Sequence, residues 1–139
     1  AHMVWALLED FGAIDRWWPR DTGIIIDHVT CEGSGIDMVR HIYNVGFDTP
    51  VSERLDYIDP DSMTLILSII GQRPGSITAY VAKSQLTAME KNQCRIDYEA
   101  YVTAPLELQE KVEKNTRYTW KQMFRGLSDA ANPKKSPAN

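Results

Sequence analysis

A glutamate set among apolar side chains is the residue of this sequence best placed to do chemistry. Read as an extended strand, residues 51–58 (VSERLDYI) alternate between two faces. Val51, Glu53, Leu55 and Tyr57 share one face, and Ser52, Arg54, Asp56 and Ile58 share the other. Composition makes the first set the buried one, with Glu53 inside it. A lone charge in a packed core costs several kcal/mol or is given up by protonation. Glu53 must therefore be paired, hydrated or used, which implies a polar site and a cavity rather than a solid interior. Arg40, on the preceding strand and grouped by parity with Met38 and Ile42, is the expected partner. An Arg–Glu pair across neighbouring strands could lock the charge in place as a bidentate ion pair. The same pair could instead hold a ligand carboxylate or carbonyl through waters. Arg54, one place along, faces solvent unless a bulge shifts the register.

Other chemistries find no support. There is no G-x-S-x-G segment and no Cys–His couple recognisable as catalytic, so no catalytic residue is assigned. Gly33-Ser34-Gly35 does not open a helix and is not a phosphate loop, and no cofactor is implied. His28 and His41 fall on different strands without Cys or carboxylate at ligand spacing, so no metal site is expected. A net charge of -4 argues against nucleic acid as a partner. No apolar run approaches the ~18–20 residues that cross a bilayer. The two cysteines, Cys31 and Cys94, lack disulfide or metal spacing and read as reduced thiols of a cytoplasmic protein.

The elements that must position Glu53 follow from pattern. Residues 4–11 (VWALLEDF) are helical by Leu, Ala and Glu content and stop at Gly12; residues 13–18 make a second short helical turn ended by Pro19. Strands are expected over 23–31, 37–44, 51–58, 63–70, 77–88 and 93–102. Turns fall at Gly33-Ser34-Gly35, Asp59-Pro60-Asp61 and Lys91-Asn92. Pro105 opens a long helix to about Ala131, with Val112, Thr116, Thr119, Trp120, Met123, Leu127 and Ala130 as its apolar stripe. Ala1-His2-Met3 reads as a cloning remnant, residues 4–131 as one domain, and residues 132–139 as a flexible tail. Two short helices, six antiparallel strands and one long helix make an α+β fold, a curved sheet wrapped round the C-terminal helix. Such a grip leaves a concave space suited to a small ligand.

The order of motifs resembles the Bet v 1-like/START superfamily (SRPBCC), in particular its polyketide cyclase/dehydrase-like branch, which also shelters the abscisic-acid receptors. The matching pieces are VWALLEDFGAIDRWWP, Gly33-Ser34-Gly35 followed by MVR, VSERLDYID, SIIGQRPGSITAY, and Gly126-Leu127 in the last helix. Together they span residues 4–131. The resemblance implies a helix-grip fold with a hydrophobic pocket between sheet and helix. One departure is clear: the family's first strand is missing from this chain. That strand would lie between the strands at 23–31 and 93–102, and its loss leaves two open edges. A homodimer or strand-swapped assembly is the expectation.

By the same resemblance, Glu53 occupies the place of an inward glutamate in an ERL tripeptide. Tyr80 matches a ligand-contacting tyrosine, and Tyr98 stands where the receptors carry a second glutamate, which argues against their hormone as the ligand. Cyclases of the family use an arginine corresponding to Arg54. Trp17 and Trp18 before Pro19 resemble a segment at the cavity entrance; their plain role is to staple the short helices onto the sheet. Leu67, Ile69, Trp120 and Met123 are apolar wall candidates. Three functions stay open: a binder of a hydrophobic, partly oxygenated small molecule; a cyclase, dehydratase or aromatase moving protons with Glu53, Arg40 or Tyr80; and a protein-interaction module.

Overall fold

The computed structural model describes residues 1–73 and 75–132; of the expected tail at 132–139, residues 133–139 lie outside them. Helix α1 (His2–Glu9) buries Val4 and Trp5, and a 3-10 helix (Phe11–Arg16) buries Phe11 and Ile14, three residues apart. The helix expected through Phe11 ends earlier, because the chain kinks at Asp10 and turns the Phe11 ring into the core. Its start is also earlier. His2 and Met3, set aside as a remnant, form the exposed first turn of α1.

Six strands follow: β1 (Ile26–Glu32), β2 (Val39–Asn44), β3 (Val51–Asp59), β4 (Thr64–Ile70), β5 (Ala79–Ala88) and β6 (Cys94–Thr103). They pair antiparallel in chain order, so β1 and β6 are the two edges of one sheet. Gly33 and Gly35 turn the chain between β1 and β2 with φ of +75° and +70°, a region open to glycine at no steric cost. At Lys91-Asn92 both residues have positive φ, closing the β5–β6 hairpin.

One expectation about β3 fails. The register slips between Leu55 and Tyr57, so Asp56 is an extra residue in the strand. Beyond the bulge the parity inverts: Tyr57, assigned to the buried face, is 44% exposed, while Ile58 packs against the core. Asp56 is held outside by Arg54 Nε, which donates to it at 2.7 Å, and by a short hydrogen bond from Ser68 Oγ. Arg54 itself stays on the outer face as expected, and Glu53, before the bulge, keeps its inward position.

A 3-10 turn (Leu106–Leu108) leads into helix α2 (Gln109–Ala131), which extends for ~35 Å at 1.5 Å per residue. Leu127 is 1% exposed; Ala130, placed in the apolar stripe, is exposed, and Ala131 is buried instead. The period of 3.6 simply carries the buried line past Leu127 to the residue four places on. Gly126 has a steric reason. A Cβ there would lie 2.4 Å from the Trp17 carbonyl oxygen and 2.8 Å from Pro19 Cδ, so only glycine lets α2 sit against this segment. Trp17 is buried there, and Trp18 Nε1 donates to the Ile24 carbonyl at 2.9 Å, which fixes the 3-10 segment to the start of the sheet. Arg125 adds an exposed clamp from α2 to Asp21 at 2.8 Å. Among the described residues, no helix is long and apolar enough to cross a membrane.

Candidate functional site

Arg40 and Glu53 stand directly opposite each other on β2 and β3, as strand parity requires. Nε of Arg40 donates to Oε1 of Glu53 at 2.8 Å, and Nη2 makes an ion-pair contact with the same oxygen at 2.7 Å. The fork therefore closes on one carboxylate oxygen rather than spanning two. Nη1 donates to the Phe11 carbonyl at 2.7 Å, and the guanidinium carbon sits 3.9 Å from the centroid of the Phe11 ring. Carboxylate, carbonyl and ring π-face thus hold the cation on three sides. The side chains of Arg40 and Glu53 are 9% and 13% exposed, so this is an interior ion pair. Oε2 of Glu53 accepts no hydrogen bond among the described residues, yet it is not sealed from a water-sized neighbour.

A second polar group is built by the other half of the sheet and α2. The hydroxyls of Tyr80 on β5 and Tyr98 on β6 lie 2.9 Å apart, and Trp120 Nε1 donates to Tyr80 at 2.9 Å. Tyr98 meets Trp120 and Phe124 edge-on, with ring centroids 5.0 and 5.8 Å away. Burial pushes the Tyr80 phenol up, against the pull of its hydrogen bonds to Tyr98 and Trp120. The Tyr98 phenol is pushed well above its ordinary value, first by burial and then by Tyr80 and the Glu53 carboxylate. Both phenols keep their protons at neutral pH, where they are hydrogen-bond donors and acids rather than bases. The Glu53 carboxylate pushes both phenols up and the Arg40 cation pulls both down, each by less than burial does.

Between β6 and the first half of α2 lies a cleft of about 380 Å³. Ala100 and Val102 line it from β6, and Val112, Thr116 and Trp120 from α2, with Gln109 and the Glu113–Arg117 pair also on its walls. Trp120 connects the two regions, since its ring lines the cleft and its N–H reaches Tyr80. Of the candidate wall residues, Leu67 and Ile69 are buried core side chains of β4, and Met123 packs against that core. Four contributors escaped the sequence reading: Phe11, Phe124, Ala100 and Val102. The last two were within reach, because they follow Tyr98 at strand period. Phe11 and Phe124 meet their partners across long sequence separations, and no local pattern announces that.

The two histidines sit apart. His28 stacks on Tyr43 at 4.3 Å and contacts Asp27, while His41 shares a 2.7 Å hydrogen bond with Ser52. Among the described residues, no group of three or more His, Cys, Asp or Glu is placed to hold a metal. Cys31 and Cys94 are free thiols.

Comparison with solved structures fits this geometry. A Thermobifida fusca protein solved in solution superimposes with a TM-score of 0.77 at 20% identity, over 98% of this chain and 88% of that one. A Bacillus thuringiensis protein gives 0.75 at 20% identity, over 94% and 89%. Norcoclaurine synthase of Thalictrum flavum, in complex with dopamine and hydroxybenzaldehyde, gives 0.74 at 16% identity, over 98% and 82%. The chain has the Bet v 1-like helix-grip fold. No family model and no curated protein matches the sequence, so the likeness is one of fold. Within that fold Trp120 of α2 joins the cleft to Tyr80, whereas the Arg40–Glu53 pair is capped by Phe11.

Proposed function

We propose that this protein is a cytoplasmic binder of a hydrophobic, partly oxygenated small molecule held between the sheet and α2. The observation that carries this reading is Trp120, which joins an open cleft to a buried hydroxyl pair. A ligand body entering between β6 and α2 would gain ~25 cal/mol per Å² of apolar surface buried. Tyr80, Tyr98 and the Arg40–Glu53 pair would orient its oxygenated end, with Leu67, Ile69 and Met123 behind them as apolar wall. The norcoclaurine synthase complex supports small-molecule handling by this fold. Native mass spectrometry of freshly purified protein tests the reading. The expected result is a small-molecule adduct that Trp120→Ala loses. A bare wild-type chain that also ignores apolar aromatic compounds up to their solubility limit would overturn it.

A second reading is an enzyme of the polyketide cyclase or dehydratase kind. Its support is an inward carboxylate, Glu53, on the same sheet as two protonated phenols, groups able to serve as base and acid. Glu53→Gln separates the two readings: it abolishes turnover in an enzyme and only weakens retention in a binder. The open edges of β1 and β6 support a homodimer or strand-swapped assembly, because unpaired ladder groups favour pairing with another chain. Solution scattering that fits a compact monomer at all concentrations would rule the assembly out.

A further inference from the structure

The two free edges of the sheet differ in what a second copy of the chain would meet there. Edge strand β1 carries an extra residue at Asp27, where the register slips between Ile26 and His28. Beyond that bulge the ladder runs regularly from His28 to Glu32, with Thr30 at its centre. Gly12 of the 3-10 helix lies against the Cys31 sulfur, yet His28, Thr30, Cys31 and Glu32 are all exposed, so the helix stops short of covering this edge. Antiparallel pairing of β1 with its own copy about a two-fold axis through Thr30 uses the whole regular stretch. In that register His28 faces the partner's Glu32 on the outer side, twice by symmetry, and Val29 faces the partner's Cys31 on the inner side. Asp27 holds Nδ1 of His28 at 2.6 Å, and Nε2 remains for the incoming carboxylate. Moving the axis by one residue, to Val29 or Cys31, sets Glu32 against Ile26 or Thr30 and loses both contacts. Strand β6 offers no such match. The two same-face registers that use most of it are centred on Tyr98 and Glu99. The first sets Asp97 against the partner's Glu99 twice, the second sets Glu99 against itself, and neither brings Arg95 opposite a carboxylate. Like charges directly opposite each other destabilise a strand pair.

We propose that the chain pairs with a second copy of itself through β1, two β1 strands side by side about Thr30, joining two six-stranded sheets into one. This rests on the homodimer reading above and narrows it to one edge and one register. An isologous pair of this kind uses up the edge on which it forms, so assembly stops at two. In each copy β6 stays open, and with it the cleft between β6 and α2. Association and ligand entry thus occupy opposite borders of the sheet, and neither blocks the other. The bulge at Asp27 confines the pairing to a short stretch, which makes the dimer a weak one that forms as concentration rises.

Hydrogen exchange on the wild-type protein across a dilution series identifies the edge. Amides within residues 28–32 should gain protection as concentration rises, in step with the dimer fraction from sedimentation velocity, while those of 94–103 stay unchanged. A charge series identifies the register. Glu32→Lys should weaken dimerisation about tenfold, since it removes two symmetric contacts, and His28→Glu/Glu32→Lys should bring it back to within about threefold of wild type. In a Cys31→Ser/Cys94→Ser background, Thr30→Cys should form an intermolecular disulfide on mild oxidation, because the axis brings the two copies of that position to ~4.5–5.5 Å between Cα atoms. Glu99→Cys in the same background should not. A dimer whose protection falls on 94–103, or that cross-links through Glu99→Cys, would overturn the β1 edge and leave the homodimer standing. Protection at 28–32 with no response to Glu32→Lys would overturn the pairing about Thr30. A monomer at every concentration sinks both readings. The wild-type exchange decides the edge even if a variant fails to fold.

Discussion

Breaking the Arg40–Glu53 pair from one side should cost far more than removing it whole. Glu53→Gln keeps the shape and an acceptor for Arg40 but removes the balancing charge, leaving a cation whose side chain is 9% exposed. Loss of one partner of a buried pair costs ~3–5 kcal/mol. The Phe11 carbonyl and ring remain on the guanidinium, so the lower end, ~3 kcal/mol, is expected here. Arg40→Met abandons both the Phe11 contacts and the Glu53 charge, and should cost ~4–5 kcal/mol. With both replaced, as in Arg40→Met/Glu53→Gln, no charge is left to solvate, and the loss should be ~2 kcal/mol or less. The non-additivity is then ~5 kcal/mol. A domain of this length has ~7–20 kcal/mol to lose, so each variant stays folded at low temperature. Urea unfolding followed by tryptophan fluorescence gives each value from the midpoint at constant m. The corresponding drop in Tm for Glu53→Gln is ~10 °C. If Glu53→Gln costs under ~1 kcal/mol, or the singles simply add, the pair is solvated like a surface bridge and cannot orient a ligand.

Three further outcomes follow from the geometry. Gly126→Ala gains helix propensity of ~1 kcal/mol but drives a methyl against the Trp17 carbonyl and Pro19, so net destabilisation of ~2 kcal/mol or more is expected in the same urea assay. Because the folded phenols of Tyr80 and Tyr98 titrate above their unfolded value near 10, their contribution is fully present below about pH 10 and is lost as pH climbs through the raised values. Stability should fall by up to ~2.7 kcal/mol per pH unit in that window, and Tyr80→Phe/Tyr98→Phe should flatten the slope when midpoints are compared from pH 9 to 11.5. Across the bulge, Ile58→Asp should cost ~3 kcal/mol while Tyr57→Ser changes stability by under ~1 kcal/mol; the reverse order would mean that β3 runs without the bulge.

The sequence made the element order legible because each strand carries β-branched residues between turn formers, and α2 carries a stripe at helical period. Glu53 and Arg40 could be paired on paper, since side-chain parity is a local rule and both precede the bulge. Tyr57 could not be placed, because the slip at Asp56 is bound up with Ser68 on the next strand, and no pattern inside β3 records it. The kink at Asp10 escaped for a similar reason, since Phe11 turns inward to cover a guanidinium from β2. Helix propensity alone runs straight through that point. The tyrosine pair was visible as two residues, but the hydrogen bond joining them to Trp120 spans forty positions and belongs to the packing of α2.

Packing is densest in the middle of the sheet and loosens toward both edges, and the cleft lies at the β6 edge. The inward residues of β4 and β5, among them Leu65, Leu67, Ile69, Tyr80, Ala82 and Leu86, are buried, whereas Ile96, Tyr98, Ala100 and Val102 of β6 are only half-buried. An edge strand with small side chains opposite a helix cannot close the space before it. Ala100 and Ala104 line the cleft together with Trp120. A core built only for stability would put Leu or Ile at such positions, since each buried CH₂ adds ~0.8 kcal/mol. An open cleft against a half-buried edge strand is the feature of this fold that the proposed ligand would use.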